Sequence, residues 1–403
     1  MRQLRSKDRL DYFNRRRPLR TFIVALSLLL LAASAPRPTV VGTWQGIIKG
    51  PAGPSHRIMQ IMKTGGTYDV VIHSLDESEV PIVTKNVSIH GNAVTMKFDM
   101  NTSPWIDYHR VFNATLSSDG KTLDGKWQIP NYAPIAMNYT KVPHATWTIV
   151  EPKVEYVEVQ PGVKIEAMDW GGTGRPLLWL AGLGNTGHDF YGIVTNLIKH
   201  YHVYSMTRRG FGASSKPAAT AENYSSDRLG DDVIAVMDAL KIEKPIVMGH
   251  SIAGEELSDL GTRFANRLSA LIYVDAGYWY AFDSGNKPKD PVGTPPPGQP
   301  PMPPIGKAIL ENARSFKGPI DLPILAIFAN PHDVSGESPA DRTPAEVKKF
   351  NAETTAAIKG FKAGLPNAKV IVIPNANHFV FLSNKDQFLN DVNTWIAKLP
   401  PLG

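Results

Sequence analysis

Apolar runs alternate with stretches of helical periodicity from residue 154 to the C-terminus, and this alternation constrains the fold more than any other feature. Residues 163–170, 176–181, 202–206, 245–248, 322–328 and 369–374 read as strands. Residues 188–200, 227–240 and 386–399, with a stretch starting near Ile252, read as helices; in the first, Phe190, Ile193, Val194, Leu197 and Ile198 share one face. Strands that are apolar on both faces need cover on both faces. Strand–helix alternation therefore implies a mostly parallel sheet between two helical layers. Residues 154–159 and 163–170 read as an opening hairpin turned by Pro161-Gly162.

One strand runs straight into Gly249-His250-Ser251-Ile252-Ala253-Gly254. A strand that turns sharply into a helix lifts the corner hydroxyl out of the sheet. It also places the first helical N–H groups beside that hydroxyl, where negative charge would develop during acyl transfer. Gly249 and Ala253 are small because a tight turn leaves little room. A nucleophilic serine needs a base, and the base needs an acid. Two late strands end in candidates: one in Ala329-Asn330-Pro331-His332-Asp333, the other in Asn375-Ala376-Asn377-His378-Phe379.

These residues resemble the α/β-hydrolase superfamily over roughly residues 154–403. The likeness rests on the Ser251 turn, on Leu180-Ala181-Gly182-Leu183-Gly184-Asn185, on Arg208-Arg209-Gly210-Phe211-Gly212-Ala213-Ser214, and on Asn377-His378-Phe379. The family's turn motif ends in glycine where this chain has Ala253, with Gly254 one residue later. The resemblance implies Ser251 as nucleophile and His378 as general base. It implies the backbone N–H groups of Ile252 and Leu183 as oxyanion donors. Histidine is the family's commoner residue where Ala181 stands. The acid is Asp333 by its place after the late strand, or else Asp275, which ends the strand before it. Glu255 and Glu256 read as stabilisers of a helix start.

Residues 40–150 differ. Short alternating segments recur at 43–49, 57–63, 67–73, 83–89, 93–98, 109–116, 123–129 and 145–150, with turn signals such as Gly65-Gly66 between several. This pattern predicts a small all-β barrel or sandwich, with Trp44 and Trp127 in its core and the strands bearing them closing it. His56, His73, His90 and His109 show no metal-ligand spacing, so no metal is expected. The segment reads as a stabilising or docking module, or as a cover for the site.

The strand–helix alternation breaks at 277–321, where the family places a cap. The insert opens with Tyr278-Trp279-Tyr280-Ala281-Phe282 and continues through a proline-rich run. Tyr278, Trp279 and Phe282 either line an apolar pocket over Ser251 or pack the cap onto the core.

The formal charge of +6 does not point to nucleic acid. Residues 1–35 hold eight basic and two acidic residues, which account for the whole excess. That stretch reads as an export signal: basic residues, then an apolar run at 21–33, then small residues. Its alternative is an uncleaved anchor, the one route to a membrane. The chain has no cysteine, so an exported fold would rest on its core alone.

The expected function is an exported serine hydrolase that cleaves carboxylic esters with apolar or aromatic acyl groups, without a cofactor. The alternatives are a ligand-binding protein on a hydrolase scaffold, and another serine-dependent reaction such as perhydrolysis or carbon–carbon bond hydrolysis.

Overall fold

The computed structural model describes residues 38–50, 53–74, 82–103, 106–128, 134–147, 150–283, 287–293, 301–334 and 343–401. The expected export segment lies outside them, as does most of the proline run. Among the described residues, no helix is long and apolar enough to cross a membrane.

Strands β1 (Gly42–Gly50), β2 (Gly53–Thr64), β3 (Thr67–Ser74), β4 (Ile82–Thr84), β5 (Asn86–His90), β6 (Ala93–Ser103), β7 (Ile106–Leu116), β8 (Thr122–Gln128) and β9 (Ile135–Val142) form one antiparallel sheet. Its order is β4-β3-β2-β1-β9-β8-β7-β6-β5. The sheet curls so that its ends meet: the Thr84 hydroxyl, on β4, donates to the Lys97 carbonyl on β6. Trp44, Met59, Phe98, Phe112, Trp127 and Tyr139 fill the interior of this barrel-like sheet. Both tryptophans are buried as expected, but their strands are not the closing pair. They lie mid-sheet, with β9 between them. Sequence reading misplaced that last strand at 145–150. The alternation of Ile135, Met137 and Tyr139 marks it, with Met137 and Tyr139 buried.

The second sheet holds β10 (Lys153–Gln160), β11 (Val163–Gly171), β12 (Arg175–Leu180), β13 (Tyr201–Thr207), β14 (Ile246–His250), β15 (Ala270–Val274), β16 (Ile324–Ala329) and β17 (Ala368–Ile373). Its order is β10-β11-β13-β12-β14-β15-β16-β17, antiparallel through β10, β11 and β13 and parallel from β13 onward. Apolar residues of β14, β15 and β16 point alternately to two cores. Val247, Leu271 and Ala326 join one, with Val233 and Leu257 of the helices Ser226–Ala239 and Gly254–Arg263. Met248, Ile272 and Ile327 join the other, with Val194 and Phe388 of the helices Tyr191–Leu197 and Lys385–Ile396. This is the α/β-hydrolase fold, preceded by a β-rich, barrel-like sheet.

Candidate active site

Ser251 sits where β14 becomes a helix, with a left-handed φ of +54°. A side chain in that region is strained, and such strain persists only where the surroundings fix it. Here tight packing does so. A Cβ on Gly249 would lie 3.0 Å from that of Ala253, and one on Gly254 would lie 1.9 Å from the Ala276 carbonyl oxygen. The close approach therefore falls at position 254, which explains why alanine is accepted at 253 and glycine stands one residue later.

His378 follows β17 and reaches back to the turn. Its Nε2 is 2.8 Å from Ser251 Oγ, and its Nδ1 is 2.6 Å from Asp275 Oδ2. A carboxylate only accepts, so Nδ1 carries the proton and Nε2 presents a lone pair to the serine hydroxyl. Asp275 directly follows β15, is fully buried and also has a left-handed φ, +45°. Its Oδ2 accepts a second bond from His332 Nε2 at 2.8 Å, while Oδ1 accepts from the Tyr278 hydroxyl at 2.9 Å and the Ala329 N–H at 3.2 Å. Burial alone would push this carboxyl up. The hydrogen bonds from His332 and His378, with the charges those rings can carry, outweigh burial and hold it well below the usual carboxylate range.

Of the two candidate acids, the carboxylate bonded to His378 Nδ1 is that of Asp275, not Asp333. Residues after β16 continue as extended chain: His332 bridges Ala376, and the Asp333 N–H donates to the Ala376 carbonyl. Successive side chains of an extended chain point opposite ways. Both border the cavity, but His332 is buried against Asp275 whereas Asp333 is exposed.

The loop after β12 lies against the serine turn. A Cβ on Gly182 would lie 2.9 Å from His250 Nδ1 and 3.4 Å from Ser251 Cβ. This puts the loop bearing Leu183 beside the turn bearing Ile252. His250 is buried, and its Nε2 donates to the His378 carbonyl at 3.0 Å, which ties the histidine loop to β14. Burial and the neighbouring His378 push the His250 imidazole down to about 3, so it is neutral. Glu255 and Glu256 are buried too, rather than simply capping an exposed helix start. The Arg208 guanidinium grips Glu256 through Nε and Nη2, both at 2.6 Å.

A cavity of about 1070 Å³ opens onto His378. Tyr278, Trp279 and Tyr280 form one wall; Phe350, Thr354 and Ala357 of the helix Pro344–Gly364 form another. Of the three expected pocket residues, Tyr278 and Trp279 face the cavity. Phe282 does not: its ring packs against Phe361 and closely over Gly364. Tyr280, in the same aromatic run, lines the cavity beside Tyr278 and Trp279. Burial and the Asp275 charge keep the Tyr278 and Tyr280 phenols protonated. The helix Pro344–Gly364 also escaped sequence reading, although its start is signalled by Thr343-Pro344-Ala345-Glu346. Thr343 and Glu346 form a capping box there.

Asp275, His332 and His378 also offer ligand atoms for a divalent cation, all within 4.8 Å of one another. The two N···O separations, 2.6 and 2.8 Å, suit shared protons. Ligands around one zinc ion would stand about 3.3 Å apart. As they stand, these atoms form a hydrogen-bonded relay that ends at the serine.

A family model described as alpha/beta hydrolase fold matches residues 175–298. The match falls within the second sheet and its helices and agrees with the α/β-hydrolase fold described above. Among named relatives, a provisionally assigned carbamate hydrolase, RutD, from Caulobacter segnis is 30% identical over 115 residues, 28% of this chain and 43% of that protein. The bifunctional esterase/perhydrolase DCH of Acinetobacter calcoaceticus is 28% identical over 113 residues, 28% of this chain and 40% of that protein. The matches thus span less than half of either relative. A solved hydrolase structure from Pseudomonas aeruginosa aligns with a TM-score of 0.46 and 18% identity, over 60% of this chain and 98% of that one.

Proposed function

We propose that the chain is a serine hydrolase that cleaves carboxylic esters through an acyl-enzyme on Ser251. One observation carries the reading: a continuous relay from Ser251 Oγ through the His378 ring to the ionised, buried Asp275. Ser251 Oγ attacks the ester carbonyl as His378 Nε2 takes its proton. Asp275 holds the tautomer and offsets the imidazolium charge. The N–H groups of Leu183 and Ile252 receive the oxyanion. His378 then returns the proton to the leaving alcohol. Water repeats the sequence on the acyl-enzyme and releases the acid. No step draws on a cofactor.

The aromatic walls of the cavity favour apolar or aromatic acyl groups. The basic residues and apolar run at 1–35 support export, and protein sequencing of the mature N-terminus would test it. A panel of p-nitrophenyl esters graded by acyl length, run beside Ser251→Ala, tests the activity. The proposal requires hydrolysis that disappears in the variant; equal turnover by both proteins would contradict it. The relative named as an esterase/perhydrolase favours a second reaction at the same site, with hydrogen peroxide in place of water. Adding peroxide to the ester assay and measuring peracid distinguishes the two.

A further inference from the structure

The geometry points to Arg208 and Glu256 as a strut that holds the two halves of the oxyanion hole in register, a positioning pair for the ester hydrolysis proposed above, on which this inference rests. Arg208 follows β13, and Glu256 lies in the first turn of the helix Gly254–Arg263, five residues after Ser251. Both side chains are 4% exposed. The guanidinium makes a two-pronged bond to the carboxylate and uses two further N–H groups on the loop after β12. Nη2 donates to the Ala181 carbonyl at 2.8 Å and Nη1 to the Gly182 carbonyl at 3.2 Å.

These two carbonyls matter because of the peptide plane. In a trans peptide, C=O and N–H point in opposite directions. Fixing the Gly182 oxygen therefore fixes the direction of the Leu183 N–H, one proposed oxyanion donor. Fixing the Ala181 oxygen does the same for Gly182. Through Glu256 the same guanidinium is tied to the helix that begins behind Ile252, the other donor. One planar group thus couples both donors. Lysine, a single point charge on a flexible stem, could not reproduce the four contacts. The strut also supplies the loop with hydrogen bonds from a side chain outside it, at Ala181, where histidine is the family's commoner residue.

The next residue is a built-in comparison. Arg209 is equally buried and makes the same two-pronged contact, to Asp232 at 2.5 Å twice. Its third bond goes to Gln160 at 2.9 Å, away from the loop after β12.

The test uses the full chain with two double variants that each replace one ion pair by apolar side chains, Arg208→Met/Glu256→Leu and Arg209→Met/Asp232→Leu. Three quantities are read: kcat and KM for a p-nitrophenyl ester; the affinity of a boronic acid, whose tetrahedral adduct places an oxygen in the oxyanion hole, against that of the product carboxylate; and the melting temperature. Loss of the strut should lower kcat by about 100-fold, the effect of losing one oxyanion donor. KM and product affinity should hardly move, and boronate affinity should fall with kcat. The Arg209 pair should leave kcat and boronate affinity near wild type. Arg208→Lys retains a buried charge for Glu256 and serves where the double variant does not fold; it should show a smaller loss of the same kind. Equal kcat and boronate affinity in the Arg208 and Arg209 variants would overturn the strut alone. A wild-type protein that neither hydrolyses esters nor reacts with a fluorophosphonate would overturn the esterase reading, and the strut with it.

Discussion

Asp275 Oδ2 accepts hydrogen bonds from two histidines at once, His378 at 2.6 Å and His332 at 2.8 Å. The carboxylate that orients the proposed base is therefore also anchored, through the same oxygen, by a second ring that makes its hydrogen bond to Asp275 rather than to Ser251. Asp275→Asn should remove that orientation and lower kcat by about 10⁴-fold with the fold intact, as in other triads. Asp333→Asn should retain most of its turnover. Steady-state kinetics on the two variants decide between the acids, and the reverse ranking would refute the assignment to Asp275.

Stability should fall in acid partly through His250. An unfolded histidine titrates near 6.5, and in the folded chain His250 is pushed down to about 3 by burial and by His378. Between those values the unfolded chain binds a proton that the folded chain does not. The contribution is therefore full above about pH 6.5 and is lost as pH falls toward 3, by at most about 1.4 kcal/mol per pH unit. Asp259, pushed up to about 6 chiefly by burial, acts in the opposite sense: its contribution is present at low pH and is lost as pH rises through 6. The clean quantity is thus the difference between wild type and His250→Phe. Urea melts at several pH values between 4 and 7 should show a flatter slope in the variant. Parallel slopes would mean that His250 is not held neutral.

Glycine at 254 should be harder to replace than alanine at 253. A Cβ on Gly254 would lie 1.9 Å from the Ala276 carbonyl oxygen, in the residue after Asp275. Gly254→Ala should cost about 1–3 kcal/mol, typical of overpacking, and should slow turnover by shifting the acid against the serine. Ala253→Gly should cost no more than about 1 kcal/mol. Thermal melts and kcat measured on both variants test the order.

Trp279 and Phe282 should separate binding from stability. Trp279 faces the cavity, so Trp279→Ala should raise KM for aromatic esters more than for acetyl esters. Phe282 packs on Phe361, so Phe282→Ala should cost about 3–5 kcal/mol of stability without changing that selectivity. A selectivity change in Phe282→Ala that matched the one in Trp279→Ala would contradict the packing described above.

The sequence made the strand–turn–helix at Ser251 and the histidine after β17 legible because each depends on local pattern: an apolar run, then small or polar residues. The acid was not legible. Asp275 and Asp333 both follow strand ends, and the choice between them turns on which way one extended residue faces. That direction is set when His332 pairs with Ala376, 44 positions away along the chain. Glu256 stands in the first turn of its helix, as read, but its pairing with Arg208 was not legible, because that arginine comes from another strand end. Phe282 looked like Trp279 in a run of aromatics, and only the position of the helix Pro344–Gly364 divides wall from core. The β-rich sheet was legible as a class, while its last strand was placed some ten residues late.

Covalent labelling tests the central claim most directly. Purified protein lacking residues 1–35 would be incubated with a fluorophosphonate, and the adduct located by peptide mass mapping, beside Ser251→Ala and Asp275→Asn. The account predicts one adduct, on Ser251, absent from Ser251→Ala and formed much more slowly in Asp275→Asn. A folded wild-type protein that takes no label, or takes it on another residue, would contradict it.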